Sequence, residues 1–433
     1  MLAHGHDNAS ESINKELKKN YSFMLGASLF SAFFALVNIS LTARMLGPED
    51  FGLLVVIQAF IAIVAQVVGF QTVNAVIKFG TDALVGGRKL ELQSLVRIAF
   101  WVDIITAVAG FTCAILIVKV IGFFVEFNDE TFGFVVLYAL TIGFNFSGFA
   151  VGILRIYDRY GFLALQQVLT PLLRLIILLV CWYMDVGLQF VLFAWVASEI
   201  VGILMLILMG LNELQCNKIS VLGAPASLMQ FKNFFSFLVA NNIDTSIRVV
   251  SRELDVVVVG LFVDKPSAGL YKLVVQLGSI LSRFTTPLSA LLLPIFSRLI
   301  VAQKQPEVWR LFVRINWVLV AAILSLYIIL VIVGEPLIVF AFGEDYRGVY
   351  SVLLVYLLSV GIGCLLVTVT PLMQSMGKAT YCMRVQVKST LIYFLAMLPL
   401  IYFWGLYGAS LALGLYNVIW FLYMRPEVMR AFK

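Results

Sequence analysis

Apolar runs of about 20 residues, parted by short polar turns, recur from one end of the chain to the other. Wound as an α-helix, a run of that length crosses the hydrocarbon core of a bilayer, and it is far too long for a buried strand. The pattern predicts twelve spans near 22–44, 50–72, 97–122, 132–154, 162–184, 188–211, 233–262, 268–297, 309–333, 349–374, 382–404 and 406–424. The longest connections, 73–96 and 212–232, are too small to fold as domains. Residues 86–98, "GGRKLELQSLVRI", are amphipathic and basic, and suit a helix at the membrane surface. The polar first 20 residues lead directly into a full-length apolar span, which reads as an uncleaved first helix rather than a leader peptide.

Composition agrees. The 433 residues are 62% hydrophobic and 12% charged, with a mean hydropathy of +1.01, whereas a soluble domain is about 25% charged. So little polar surface cannot cover that much apolar side chain in water, and the expected fold class is an all-α polytopic membrane protein. The net charge of +6 does not point to nucleic acid, because the bases are sorted by side. Lys15, Lys18, Lys19, Lys78, Arg88, Lys89, Arg97, Arg155, Arg159, Lys218, Lys232, Arg298, Lys304, Arg310, Arg314, Lys378, Arg384, Lys388, Arg425, Arg430 and Lys433 gather on one side of the spans. Arg44, Lys119, Lys265 and Arg347 face the other. The positive-inside rule then places both termini in the cytoplasm. The five cysteines show no metal-ligand spacing. The chain lacks a GxxxxGK[ST] phosphate loop and a domain to hold one, so neither cofactor nor nucleotide hydrolysis is expected, and the protein is not read as an enzyme.

Two hairpins are alike: "LTARMLGPEDFGLLVVIQAF" at 41–60 and "VVVGLFVDKPSAGLYKLVVQ" at 257–276. Setting Gly52 on Gly269 superposes Phe51–Leu54 on Ala268–Tyr271, each after a turn containing Pro48 or Pro266. Each hairpin opens a set of six spans. Six is even, so both sets enter the membrane in the same sense, as in a parallel repeat about the membrane normal with a transport path between halves. The expected organisation is a tail (1–21), an N-terminal six-helix bundle (22–211), a cytoplasmic linker (212–232), a C-terminal six-helix bundle (233–424) and a second tail (425–433).

The segment "ARMLGPEDFG" (Ala43 to Gly52), with Asp255, Gly260 and Ala268 to Tyr271 of the second half, resembles the Wzx-type flippases. These form the polysaccharide transporter branch of the superfamily that also contains multidrug and toxin extrusion antiporters, and the resemblance covers essentially the whole chain. It implies a V-shaped bundle that alternates between inward-open and outward-open states. Its cargo would be an undecaprenyl-pyrophosphate-linked oligosaccharide, moved from the inner to the outer leaflet of the bacterial inner membrane for O-antigen-like surface polysaccharide. Coupling to a proton or sodium gradient is implied as well. Membrane lipids are partners, with polysaccharide polymerase or assembly proteins as further candidates.

One span departs from the apolar rule. In the seventh, Asn241, Asp244, Arg248, Arg252 and Asp255 fall within about 80° of one another at helical spacing, opposite Ile243, Ile247, Val250 and Leu254. A charge at the bilayer centre costs roughly 2.5–3.5 kcal/mol, so this stripe faces a partner or a wet cavity. Arg248 lies near the midplane, as do Arg174, Glu199 and Arg283 on other spans; Asp103 is nearer an edge. The deep bases are arginines, whose planar fork suits bidentate contact with phosphate. Arg248, Arg252, Arg174 and Arg283 are therefore candidates to hold the pyrophosphate or acidic sugars, with Asn241 and Asn242 offering amides to sugar hydroxyls. Glu199, Asp244 and Asp103 are candidates for ion coupling. Mutual pairing is the competing account: Arg174 with Glu199 across antiparallel spans, Asp244 with Arg248, and Arg252 with Asp255 along one helix. Both accounts stand at this point.

A multidrug antiporter shares the implied fold, but midplane arginines oppose a cationic cargo. A membrane oligosaccharide polymerase would carry a sizeable external loop, and the outward loop near 334–348 has only Glu335, Glu344, Asp345 and Arg347 as charged groups.

Overall fold

The computed structural model describes the backbone of residues 3–70, 72–124, 129–221 and 232–431. Thirteen α-helices follow in order: α1 (Ala3–Val68), α2 (Thr72–Val85), α3 (Lys89–Phe124), α4 (Asp129–Gly143), α5 (Gly148–Ile156), α6 (Tyr160–Tyr183) and α7 (Leu188–Cys216), then α8 (Lys232–Phe262), α9 (Lys265–Val301), α10 (Gln305–Phe342), α11 (Val349–Leu366), α12 (Val369–Ser375) and α13 (Ala379–Ala431). No strand occurs among the described residues. The fold is an all-α polytopic membrane protein, as the apolar pattern predicts.

Eight stretches among the described residues are long and apolar enough to cross a bilayer. Two of them, Gly26–Val85 and Tyr381–Arg430, are too long for one crossing. Each is interrupted by a glycine with positive φ, Gly47 (φ 70°) and Gly405 (φ 55°). At the first break Gly47 ends one helix, Pro48 opens the next, and Glu49 and Asp50 follow at its positive end, a sequence of residues suited to each position. Helices α8 and α9, which carry several of the charges singled out above, are not among the eight. The most apolar stretch, Gln305–Phe342, is hardly buried at all. Trp317, Ile332 and Phe340 stand exposed on it. Apolar side chains turned outward in this way are stable only against lipid.

Several helices break where the apolar pattern predicts continuity. Residues 69 and 70 follow the end of α1 at Val68 and α2 begins at Thr72, residues 144–147 part α4 from α5, and Val367–Thr368 part α11 from α12. Apolar periodicity says nothing of such breaks. The local signals are Gly69 and "NFSG" (Asn145 to Gly148), read here only in hindsight.

The chain divides into two compact units. Unit 1 comprises Met1–Leu46 and Ile57–Leu254, and unit 2 comprises Gly47–Val56 and Asp255–Lys433. In unit 1, α6 packs on α7, α2 on α5, and α3 on α4, around a core that includes Val76, Leu95, Phe149, Ile153, Leu214 and Phe234. In unit 2, α11 packs on α13 and α9, and α12 on α9, around Leu292, Phe296, Leu372, Met373, Trp420 and Met424. The tip of the first hairpin belongs to unit 2. There Gly52 meets the carbonyl of Lys265, and a Cβ on Gly269 would meet the Gly52 backbone at 3.0 Å. The two aligned glycines are glycines because the hairpins touch backbone to backbone.

Candidate functional site

The side chains of Asn241, Asp244, Arg248, Arg252 and Arg283 lie outside the described residues, although all five positions are helical. The remaining candidates fall into three separate places in unit 1.

The first joins α6 to α7. Arg174 Nη2 donates to Glu199 Oε2 at 2.8 Å and its Nε donates to Ser198 Oγ at 2.9 Å. The guanidinium lies 4.1 Å from the centre of the Trp195 ring, and Trp195 Nε1 donates to Thr42 Oγ1 at 3.3 Å. An ion pair, a neutral hydrogen bond and a cation–π face thus satisfy one arginine. Its side chain is 13% exposed while that of Glu199 is 45% exposed. The Arg174–Glu199 pairing is the one that depth along consecutive spans suggests.

The second is built on α3. Asp103 is buried. It accepts from Thr72 Oγ1 at 2.7 Å and from the backbone N–H of Phe149 at 2.8 Å. Phe149 is in the first turn of α5, where N–H groups lack helical partners. Ser147, the residue before that helix, makes no side-chain cap, so Asp103 supplies the cap from another helix, with the favourable sign of charge for a helix N-terminus. A Cβ on Gly148 would collide with Thr72 Oγ1 and the Asp103 carboxylate; only glycine admits the carboxylate so close. In unit 2 the α11–α12 break is held by uncharged groups: Asn316 Nδ2 donates to Thr368 Oγ1 at 2.9 Å and to Phe312 O at 2.9 Å.

The third is the end of α1. Asn242 Nδ2 donates to Val67 O at 3.4 Å and Ser246 Oγ donates to Gln66 O at 2.9 Å. Gln66 Nε2 reaches Thr245 Oγ1 at 3.2 Å. Carbonyls left open at the end of α1 are thus capped from α8. Asn242 is buried at that seam, engaged with backbone rather than presented to open space. Carbonyl capping leaves no sequence pattern, so nothing in the chain announced it.

Two salt bridges mark equivalent loop ends. Arg159, before α6, pairs with Glu213 at the end of α7 at 2.9 Å; Lys378, before α13, pairs with Glu427 near its end at 2.6 Å. The Arg159 guanidinium is held above its ordinary range by its hydrogen bond to Glu213. A raised value stabilises below the unfolded pKa and is lost only above the folded one, so alkali within reach does not break this pair.

Sequence reasoning put Asp255 both in the polar stripe, with Arg252 as its candidate partner, and in the hairpin motif, and gave it no role with cargo or ion. It is 7% exposed, and Tyr271 Oη donates to its Oδ2 at 3.5 Å. The available signal was the repeat: fourteen residues before the aligned glycines, Asp255 matches Asn38. Asn38 is buried too, donating to Pro171 O at 2.8 Å.

Broken apolar helices closing around charged and amide side chains define a polytopic helical membrane protein. Among solved structures the chain is similar to an inward-facing multidrug resistance transporter of the MATE family, with a TM-score of 0.73, 12% identity, and 94% and 97% of the two chains covered. It is similar to the lipid II flippase MurJ in an inward closed conformation, with a TM-score of 0.63, 16% identity, and 94% and 87% covered. These likenesses establish the fold. Residues 17–300 match the family described as polysaccharide biosynthesis protein, and the chain belongs to that family. It is also 27% identical over 338 residues to the inner membrane protein YghQ of Escherichia coli (strain K12), covering 77% of this chain and 95% of that protein.

Proposed function

We propose that the protein is a Wzx-type flippase of the bacterial inner membrane. It moves an undecaprenyl-pyrophosphate-linked oligosaccharide from the cytoplasmic to the outer leaflet, for assembly of an O-antigen-like surface polysaccharide. Twelve spans in two six-helix bundles, with both termini cytoplasmic, alternate between inward-open and outward-open states. Arg248, Arg252, Arg174 and Arg283 attract the pyrophosphate or acidic sugars, and Asn241 contributes an amide. The observation that carries this reading is the family match across residues 17–300 on a transporter fold. Arginine rather than lysine at the deepest positions favours an anionic cargo. Ion coupling through Glu199, Asp244 or Asp103 belongs to the same reading.

The test is deletion of the gene followed by location of the lipid-linked oligosaccharide. Build-up on the cytoplasmic leaflet is the expected result, and single repeat units accumulating on the outer face would indicate a polymerase instead. A second reading, a multidrug antiporter, draws on the TM-score of 0.73 to a multidrug resistance transporter. Drug efflux with no glycan phenotype would establish it. For the cargo contacts, Arg248→Ala at normal membrane level is expected to lose most transport; wild-type transport would remove the arginines from the cargo path.

A further inference from the structure

Helix α10 is bare along one face, and that face begins with two bases. Residues 315–334 carry no charge, a run that rises about 30 Å, the thickness of the hydrocarbon core. Arg314 stands immediately before the run and Glu335 immediately after it, which sets both at headgroup depth. At helical spacing Arg310, Arg314, Trp317, Ala321, Leu324 and Ile328 fall within about 80° of one another, and all six are exposed. Trp317 is 69% exposed. The other side of the helix is engaged: Trp309, Phe312 and Ile315 pack on the core of unit 2, and Asn316 holds Thr368.

Two like charges one turn apart repel unless an anion relieves them. The acid one turn before them, Glu307, is paired with Lys304 at 3.2 Å. Among the described residues neither Arg310 nor Arg314 has an ion-pair or hydrogen-bond partner. The repeat shows that packing does not require these groups. At the offset that sets Gly52 on Gly269, Val96, Arg97 and Ile98 of α3 fall on Val313, Arg314 and Ile315, Gln93 falls on Arg310, and Phe100 on Trp317. In unit 1 the matched groups serve the fold: Arg97 Nε donates to Ser220 O at 3.1 Å, and Phe100 stands edge-on to Phe149 with centroids 5.2 Å apart. Unit 2 keeps the arginine, adds a second, substitutes a tryptophan and leaves all three outside.

The chemistry of the stripe selects its occupant. Guanidinium forks match phosphate oxygens, and an indole suits the boundary between headgroups and chains. The apolar residues beyond offer a track for a hydrocarbon chain. A zwitterionic headgroup would bring its own ammonium against the two bases. A second copy packed on this face about a two-fold axis would bring four guanidiniums together. We propose that Arg310, Arg314 and Trp317 form a binding site for an anionic phospholipid. Both guanidiniums hold its phosphate, the indole lies against its glycerol region, and one acyl chain runs along Ala321, Leu324 and Ile328. The flippase reading enters only through its orientation, which makes the leaflet the cytoplasmic one.

Native mass spectrometry of the full-length protein in detergent, titrated with phosphatidylglycerol or phosphatidylcholine, resolves each bound lipid. It needs neither cargo nor transport, so its outcome is separate from that of the gene deletion. The wild type is expected to bind its first phosphatidylglycerol about thirtyfold more tightly than phosphatidylcholine, from about fivefold for each base near a membrane surface. Arg310→Gln/Arg314→Gln should bring the two lipids to equal affinity. Arg384→Gln/Arg425→Gln, which removes two other exposed bases of unit 2, should leave the preference in place. No preference in the wild type would overturn the site, and an equal loss in both double variants would replace it with a diffuse basic surface. Undecaprenyl pyrophosphate displacing all the phosphatidylglycerol at equal concentration would overturn it in favour of the cargo lipid. A doubled mass that Arg310→Gln/Arg314→Gln abolishes would overturn it in favour of a second copy.

Discussion

Unit 1 places ionisable groups where unit 2 places neutral ones. A salt bridge with a cation–π face joins α6 to α7 in unit 1. Twelve residues beyond the glycines that open the last span of each half, Gly187 and Gly405, Glu199 is matched by Asn417, whose Nδ2 donates to Ser359 O at 2.8 Å. The broken helix of unit 1 is capped by Asp103, whereas at the break of unit 2 Asn316 and Thr368 bond to each other through their side chains. The order reverses at other matched positions, among them Asn38 with Asp255 and Gln66 with Arg283. One scaffold thus carries different groups at matched positions, charged at Glu199 and Asp103 in unit 1 and uncharged at Asn417 and at Asn316 and Thr368 in unit 2. Only at the loop ends, where water screens charge and a pair costs little, do both units keep the same kind of bridge, Arg159–Glu213 and Lys378–Glu427.

The largest effect should come from the charged cap. Asp103→Ala leaves the Thr72 hydroxyl and the Phe149 N–H without their acceptor in a buried place, an expected loss of about 3 kcal/mol. Asn316→Ala, its neutral counterpart, should cost about 1 kcal/mol. Thermal unfolding of the two variants in detergent compares them directly, and equal losses would erase the difference between the two breaks.

Next comes the pair itself. Arg174→Met leaves Glu199 without its base, at an expected cost of about 2 kcal/mol. This is below the 3–5 kcal/mol of a fully buried pair, since Glu199 is 45% exposed. The double variant Arg174→Met/Glu199→Met should regain most of the loss, because an apolar pair can replace a buried ion pair at little cost. A double variant no more stable than the single one would show that the two side chains do not act together.

How far all this was legible varies by kind of signal. The membrane-spanning helical class is written in composition, and the Arg174–Glu199 pairing follows from equal depth on consecutive spans. The hairpin alignment singled out Gly52 and Gly269, though it took them for equivalents and not for neighbours in contact. The helix breaks were not legible, because a break within an apolar run leaves hydropathy unchanged and depends on a distant group such as Asp103 to cap it. The contact of Asp255 with Tyr271 escaped for a related reason: the two residues meet only once α8 and α9 have packed. Asn242 was read as a group for sugars because it neighbours charged residues, while the carbonyl of Val67 that it holds has no signature at all. Asn242→Ala tests that capping role, with an expected loss of about 1 kcal/mol or less given the 3.4 Å bond; no loss of stability with lost transport would return it to the cargo path.

The smallest effects should lie where the units agree. Glu213→Gln and Glu427→Gln each remove one loop-end bridge, and both should lower the melting temperature slightly. The bases are partly solvated, with Arg159 54% and Lys378 34% exposed, so most of their attraction is screened by salt within about a Debye length. The difference between wild type and either variant should therefore shrink as sodium chloride rises, and by a similar fraction in both units. Removing Glu199 should behave otherwise, because Arg174 at 13% exposure is poorly reached by counter-ions. Three melting curves against salt thus sort the bridges into two classes. If Glu199→Gln lost its effect in salt as readily as the loop-end variants, Arg174 would have to be solvated, and the two units would differ in sequence at this position without differing in electrostatics.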